Sequence, residues 1–126
     1  MEFEYTQESA ERDASTYSKK LSDNISQFDT AILGVGEDGH IASLFPGTKA
    51  LENNTDLYTS NEVNIVTKWR ATATFKLLTE VTKLYLLVTG DNKNQILSEI
   101  LNNGSTPAND LINNRTETFL ITDQST

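Results

Sequence analysis

Two kinds of apolar pattern run along this chain. In residues 8–27, Ala10, Ala14, Tyr17, Leu21 and Ile25 recur at helical spacing with Glu, Arg, Asp and Lys between them, which predicts an amphipathic helix. The next segment, Phe28-Asp29-Thr30-Ala31-Ile32-Leu33-Gly34, is a compact apolar run ending at glycine and reads as a buried strand. Lys83–Gly90, with Leu84-Tyr85-Leu86-Leu87-Val88, is a second such run, and Thr116–Thr122 is a third apolar strand. Continuous rather than alternating apolarity predicts parallel strands covered on both faces.

The segments between fill in the order. Residues 34–47 form a glycine-containing loop with one helical turn expected after Gly39, and residues 48–61 are polar and rich in Asn and Thr, a surface excursion. Val63–Val66 and Trp69–Thr74 read as strands from their β-branched content, and Phe75–Val81 as a short helix. Asn92–Asn102 reads as a helix with Ile96, Leu97, Ile100 and Leu101 on one face, stopped at Asn103-Gly104. Trp69 is expected to pack, and Gly104-Ser105-Thr106-Pro107 to be a helix-terminating turn. The alternation of strand and helix predicts an α/β unit built on a parallel sheet. In open α/β sheets, ligands sit beyond the carboxyl ends of the strands, where Gly34 and Gly90 lie.

Composition narrows the function. The 126 residues suit one domain, 1–126, large enough to bury a core. The formal net charge of −8 makes nucleic acid and anionic membranes poor partners by bulk charge, so an anionic ligand needs local groups that overcome the global field. The absence of Cys excludes disulfides, thiolate catalysis and zinc–thiolate sites, and one His cannot build a His-rich metal site. No apolar run approaches membrane-spanning length, and the acidic start Met1-Glu2-Phe3-Glu4 lacks signal-peptide character, so the expected location is cytoplasmic. Without a secretory signal, the formal sequons Asn24-Ile25-Ser26 and Asn114-Arg115-Thr116 carry no meaning.

The chemistry concentrates in Gly34-Val35-Gly36-Glu37-Asp38-Gly39-His40-Ile41-Ala42-Ser43-Leu44-Phe45-Pro46-Gly47. Glycines let backbone turn tightly and approach a ligand closely. Asp38 stands two residues from the chain's single His, and a carboxylate beside an imidazole can orient it and stabilise its protonated form. Local features alone equally fit a tight turn whose His packs or caps, because Gly-x-Gly by itself is a weak signal.

The whole string resembles the signature of 6-phosphogluconolactonases, Gly-x-Gly-x-Asp-Gly-His-x-Ala-Ser-Leu-Phe-Pro, at every fixed position. Arg70 followed by Thr72 resembles that family's Arg-x-Thr strand, and Leu86-Leu87-Val88-Thr89-Gly90-x-x-Lys93 its Val-x-Gly-x-x-Lys turn. Pro107-Ala108, the last strand leading to Asp123, and a helix with Tyr17 and Leu21 before Phe28-Asp29 also fit. The related glucosamine-6-phosphate deaminases share Asp-Gly-His-Ile-Ala but continue Phe-Asn-Glu-Pro-Gly. Phe45 stands where their catalytic Glu would be, which favours the lactonase.

The resemblance implies a Rossmann-like three-layer α/β sandwich and hydrolysis of 6-phospho-D-glucono-1,5-lactone, with no cofactor and no metal. It implies His40 as general base on water, Asp38 orienting His40 or a substrate hydroxyl, and Arg70 and Lys93 on the 6-phosphate. Gly34, Gly36 and Gly39 would let the loop approach the substrate. The resemblance covers only the C-terminal half of the family pattern; the Ser-Gly-Gly phosphate loop and the Asp-Glu-Arg motif are missing, so the sheet is expected to be truncated on its N-terminal side. A truncated sheet exposes an apolar edge, hence an expectation of self-association or of pairing with the missing half. A non-catalytic phosphosugar-binding or assembly fragment is the alternative reading.

Overall fold

In the computed structural model, which describes residues 1–64 and 68–125, the Ser9 hydroxyl accepts the Arg12 N–H at 3.1 Å and opens helix α1, Ala10–Asn24. Ala14 and Leu21 bury its apolar stripe. Strand β1 (Thr30–Gly34) follows. A hairpin of β2 (Tyr58–Glu62) and β3 (Trp69–Ala73) comes next, then helix α2 (Phe75–Glu80), strand β4 (Lys83–Val88), helix α3 (Asn94–Leu101), helix α4 (Pro107–Asn113) and strand β5 (Phe119–Thr122).

Strands β1, β4 and β5 form a three-stranded sheet in that order, with both pairs parallel. Residues Ile32, Tyr85 and Phe119 share one cross-strand row, and Gly34, Leu87 and Ile121 the next. The other sheet face carries Leu84, Leu86 and Val88, all fully buried. These side chains join Leu21, Leu78, Ile96, Leu97 and Leu111 in one core, so helical residues cover that face.

The expected burial on both sheet faces does not hold in this chain. Ile32 is 69% exposed, Leu87 40% and Ile121 47%, so the second face is open to solvent although its residues are apolar. The described residues thus supply the sheet and one helical layer of the α/β sandwich.

Other readings also change in detail. The polar segment 48–61 contains a strand, β2, because its buried position is the hydrogen-bonding Asn61 rather than an apolar residue. Of the strand expected at Val63–Val66, Val63 and Asn64 are irregular, and the rest lies outside the described residues. Trp69 is 51% exposed at the end of the hairpin, opposite Glu62, and does not pack in the core. No helical turn follows Gly39; Ile41 instead bridges Val35 and Leu44. Gly104 does end α3, through its N–H to Glu99 O at 2.8 Å, but Thr106 at once caps α4, a helix absent from the sequence reading.

Candidate active site

The loop after β1 is locked to the core at three points, the buried side chains of Val35, Ile41 and Leu44. Between them the backbone closes on itself: Gly36 N–H donates to His40 O and Gly39 N–H to Gly36 O, each at 2.9 Å. Gly39 has φ +83°, the left-handed region that glycine enters without strain. Its Cα also lies against Thr106, and its carbonyl accepts the Ala108 N–H at 3.0 Å, so the start of α4 buttresses the turn. A Cβ at Gly36 would collide with the His40 ring and stand 2.9 Å from Asp38 Oδ1. Glycine at that position is the condition for the imidazole to lie where it does. Ala42 is held at φ +50°, a strained conformation for a residue with a Cβ, of the kind that clusters at functional sites.

Asp38 Oδ1 lies 2.6 Å from His40 Nδ1 and also accepts the His40 main-chain N–H at 3.0 Å. Partial burial alone would raise the Asp38 carboxyl. The hydrogen bonds from the His40 main chain and ring, together with attraction to the imidazole, outweigh it and hold the group below the usual carboxylate range. An ionised carboxylate only accepts, so Nδ1 is the donor in this pair. The neutral imidazole then carries its lone pair on Nε2.

Phe45, 6% exposed, stacks on the His40 ring with centroids 4.0 Å apart, and the Arg70 guanidinium lies 4.9 Å from the Phe45 ring centroid. Arg70 therefore reaches the imidazole through Phe45. Lys93, in the short turn Asp91–Lys93 before α3, donates from Nζ to Val35 O at 2.7 Å. Lys93, His40, Gly34 and Gly36 line one shallow open groove that also includes Ile32 and Ala42. The structure thus brings His40, Asp38 and Lys93 together, sets Gly39 behind the turn against α4, and puts Arg70 beyond Phe45 rather than in the groove wall. Near Lys93, the Gly90 N–H is already taken by the Asp123 carboxylate at 3.0 Å, a bond that leads the causes holding that carboxyl below its ordinary range.

Three residues that hold the loop escaped the sequence reading of the site. Asn61, fully buried, donates to Ser43 O at 2.8 Å and Thr48 Oγ1 at 2.9 Å, and accepts Ala50 N–H at 3.1 Å. Thr72 Oγ1 accepts the Ser43 N–H at 3.0 Å. Thr106 supports Gly39 as described above. The signal for Thr72 was its place beside Arg70, and for Thr106 the Thr-Pro start of a helix. Asn61 left none. No group of three or more His, Asp or Glu suited to a metal ion occurs among the described residues, and no described helix is long and apolar enough to cross a membrane.

Residues 1–120 match the family described as glucosamine-6-phosphate isomerases/6-phosphogluconolactonase. The chain belongs to this family. It is 42% identical over 74 residues to the 6-phosphogluconolactonase of Chlamydia muridarum, covering 59% of this chain and 29% of that protein. It is 35% identical over 107 residues to that of Thermotoga maritima, covering 78% and 44%. The crystal structure of the Thermotoga maritima 6-phosphogluconolactonase superposes with TM-score 0.76 at 29% identity, over 94% of this chain and 53% of that one. A Shewanella baltica 6-phosphogluconolactonase gives TM-score 0.79 over 95% and 54%, and at 23% identity speaks to the fold alone. The chain therefore spans about half the length of its solved relatives and less of the curated ones. The parallel sheet and its helical layer are one part of the 6-phosphogluconolactonase α/β fold.

Proposed function

We propose that this chain carries the proton-transfer part of a 6-phosphogluconolactonase site and acts in hydrolysis of 6-phospho-D-glucono-1,5-lactone to 6-phospho-D-gluconate. One observation supports this above the rest: the Asp38–His40 pair, 2.6 Å apart, at a groove shared with Lys93. His40 Nε2 takes a proton from water as the water oxygen bonds to the lactone carbonyl carbon. Collapse of the tetrahedral adduct breaks the bond to the ring oxygen, which receives the proton from the imidazolium, and the new carboxylic acid then ionises. Asp38 stays ionised throughout and stabilises the imidazolium.

Lys93 keeps two ammonium protons after its bond to Val35 O and offers them to the 6-phosphate; Arg70, set behind Phe45 and outside the groove wall, can serve as the second cation only by extending past that ring. Gly36 leaves room for the His40 ring, and Gly34 leaves the groove beside it open. Phe45 lacks the carboxylate that the deaminase motif places there, which favours ester hydrolysis over amine release.

The test is lactone hydrolysis by the purified chain, compared with buffer, because the lactone also opens spontaneously, and with His40→Ala. A rate above both controls supports the proposal, with loss of the base expected to lower the excess rate on the order of 100-fold. A folded sample with no excess rate refutes catalysis by this chain alone. Saturable binding of 6-phosphogluconate in that sample, weakened by Lys93→Ala, would identify a binding module.

A further inference from the structure

The turn that carries Lys93 is fastened from both sides. Strand β4 lies between β1 and β5, and its last residue, Val88, pairs with Thr122, the last of β5. Asp123 therefore stands beside the chain as it leaves β4. Its carboxylate accepts the Gly90 N–H through both oxygens, at 3.0 and 3.3 Å, and its Oδ1 also accepts from Gln124 Nε2 at 2.8 Å. On the opposite side, Asn92 Nδ2 donates to Glu37 Oε1 at 3.2 Å, which joins the turn to the loop that bears His40. The Lys93 N–H closes the turn on Gly90 O at 3.1 Å.

Gly90 is the pivot of this turn. Its φ of +101° and ψ of 150° fall in a region essentially restricted to glycine. Glycine also has the most conformational freedom to lose, so a turn hinged on it keeps one position only where its groups are tied. Asp123 ties the pivot itself. The bond from the Gly90 N–H and that from Gln124 hold the Asp123 carboxyl below its ordinary range, so it is ionised at neutral pH and acts purely as an acceptor.

Charge alone does not favour a carboxylate here, because an anion approaching Lys93 meets like charge from Asp123. The Lys93 ammonium bonds to Val35 O rather than to Asp123, so no ion pair between the two offsets that repulsion. What Asp123 contributes is geometry at Gly90. We infer that Asp123 is a positioning residue for Lys93: by holding Gly90 it fixes the turn from which the ammonium offers its remaining protons to a phosphomonoester in the groove. This role rests on the phosphate-binding reading of Lys93 given above. The gain is preorganisation, since a turn already in place loses less freedom when the anion binds.

Calorimetric titration with 6-phosphogluconate tests the inference on the wild-type chain, Asp123→Asn and Asp123→Ala, with Lys93→Ala marking the site. Asparagine keeps an oxygen acceptor for the Gly90 N–H and removes the charge, whereas alanine removes both. Positioning predicts that Asp123→Asn binds within about twofold of wild type and that Asp123→Ala binds about fivefold more weakly, although a repelling charge is gone. Asp123 is exposed, so Asp123→Ala leaves the core intact. The Gly90 amide proton should move upfield in Asp123→Ala, as expected when a bond to a carboxylate is lost. Tighter binding by both variants would show that Asp123 acts only through charge and would overturn the inference. Equal affinities in all three chains, or an unmoved Gly90 amide in Asp123→Ala, would overturn it as well. Affinities in the expected order without lactone hydrolysis would refute the catalytic reading and leave the role of Asp123 standing. Lactone hydrolysis with equal affinities would do the reverse, and a wild-type chain that binds no 6-phosphogluconate would refute both.

Discussion

Replacing Asn61 by alanine tests how far the hairpin, remote in sequence from His40, holds the signature loop. Asn61 is 1% exposed, and its side chain makes three hydrogen bonds to the segment from Ser43 to Ala50. Its Oδ1 is the partner of the Ala50 N–H, in a residue only 3% exposed, so no water replaces it. Its Nδ2 serves Ser43 O and Thr48 Oγ1. Thr48 loses little, because its hydroxyl also donates to Phe45 O at 2.6 Å. Two main-chain groups are then orphaned. A buried one costs about 1–3 kcal/mol, and the half-buried Ser43 carbonyl recovers part of that from solvent. We expect Asn61→Ala to lose about 3 kcal/mol, a large share of the roughly 5–15 kcal/mol that holds a domain together. Urea unfolding with an unchanged m-value measures the total, and hydrogen exchange at the Ala50 amide shows whether the loss is local. Asn61→Asp should do no better, since its second oxygen faces the Ser43 carbonyl as another acceptor. A loss below about 0.5 kcal/mol, the range of ordinary surface substitutions, with Ala50 exchange unchanged, would refute the role of Asn61 as the loop's anchor.

Gly36→Ala should displace the His40 ring, lowering lactone hydrolysis on the order of 100-fold while stability stays within about 1 kcal/mol, because the half-buried ring can swing outward; activity at the wild-type level would show that the observed ring position is not the working one. Arg115→Ala should cost about 2 kcal/mol in urea unfolding, since the guanidinium donates to Leu78 O at 2.7 Å and Val81 O at 2.6 Å at the carboxyl end of α2. The Asp38 carboxyl is lower in the folded chain than its ordinary value of 3.8, so its stabilising effect is complete above that pH and disappears as pH falls through the folded value. Asp38→Asn should therefore flatten the acid limb of stability against pH below about 4, and an unchanged limb would show the pair is not formed in solution.

The parts of this fold that declare themselves in sequence are those whose burial is apolar. β1, β4 and β5 announce themselves as runs of Ile, Leu and Val, and α1 by the spacing of Ala14, Tyr17 and Leu21. The turn around His40 was legible because glycine is demanded there by geometry, at Gly36 by the ring and at Gly39 by φ. β2 was not legible, since the residue that ties it inward is Asn61, and a buried amide looks like a loop residue until its partners are known. α4 was hidden for a similar reason. Gly104 draws attention as a stop, while the start signal two residues later is a Thr whose capping role depends on Asn109. The two-faced burial read from Leu84-Tyr85-Leu86-Leu87-Val88 failed differently: the side chains are those of an interior strand, and what is missing from one face is the cover.

That asymmetry bears on how much chemistry the chain can perform by itself. On the loop side His40 is held from several directions: Asp38 at Nδ1, Phe45 across its face, Gly36 beneath it, and α4 behind Gly39. On the proposed reading, an imidazole fixed in this way needs no reorganisation during proton transfer. The groove side has no comparable enclosure, since Ile32 and Gly34 lie open there. Enclosure strengthens the electrostatic contacts with developing charge by excluding water, and an open groove forgoes that gain. Orientation and enclosure are thus separable in this protein. The first is built into the 126 residues, and the open groove does not supply the second. Removing His40 should consequently lower the excess rate of the chain on the order of 100-fold, the contribution of a positioned base, and an unchanged rate in the His40→Ala chain would refute the assignment.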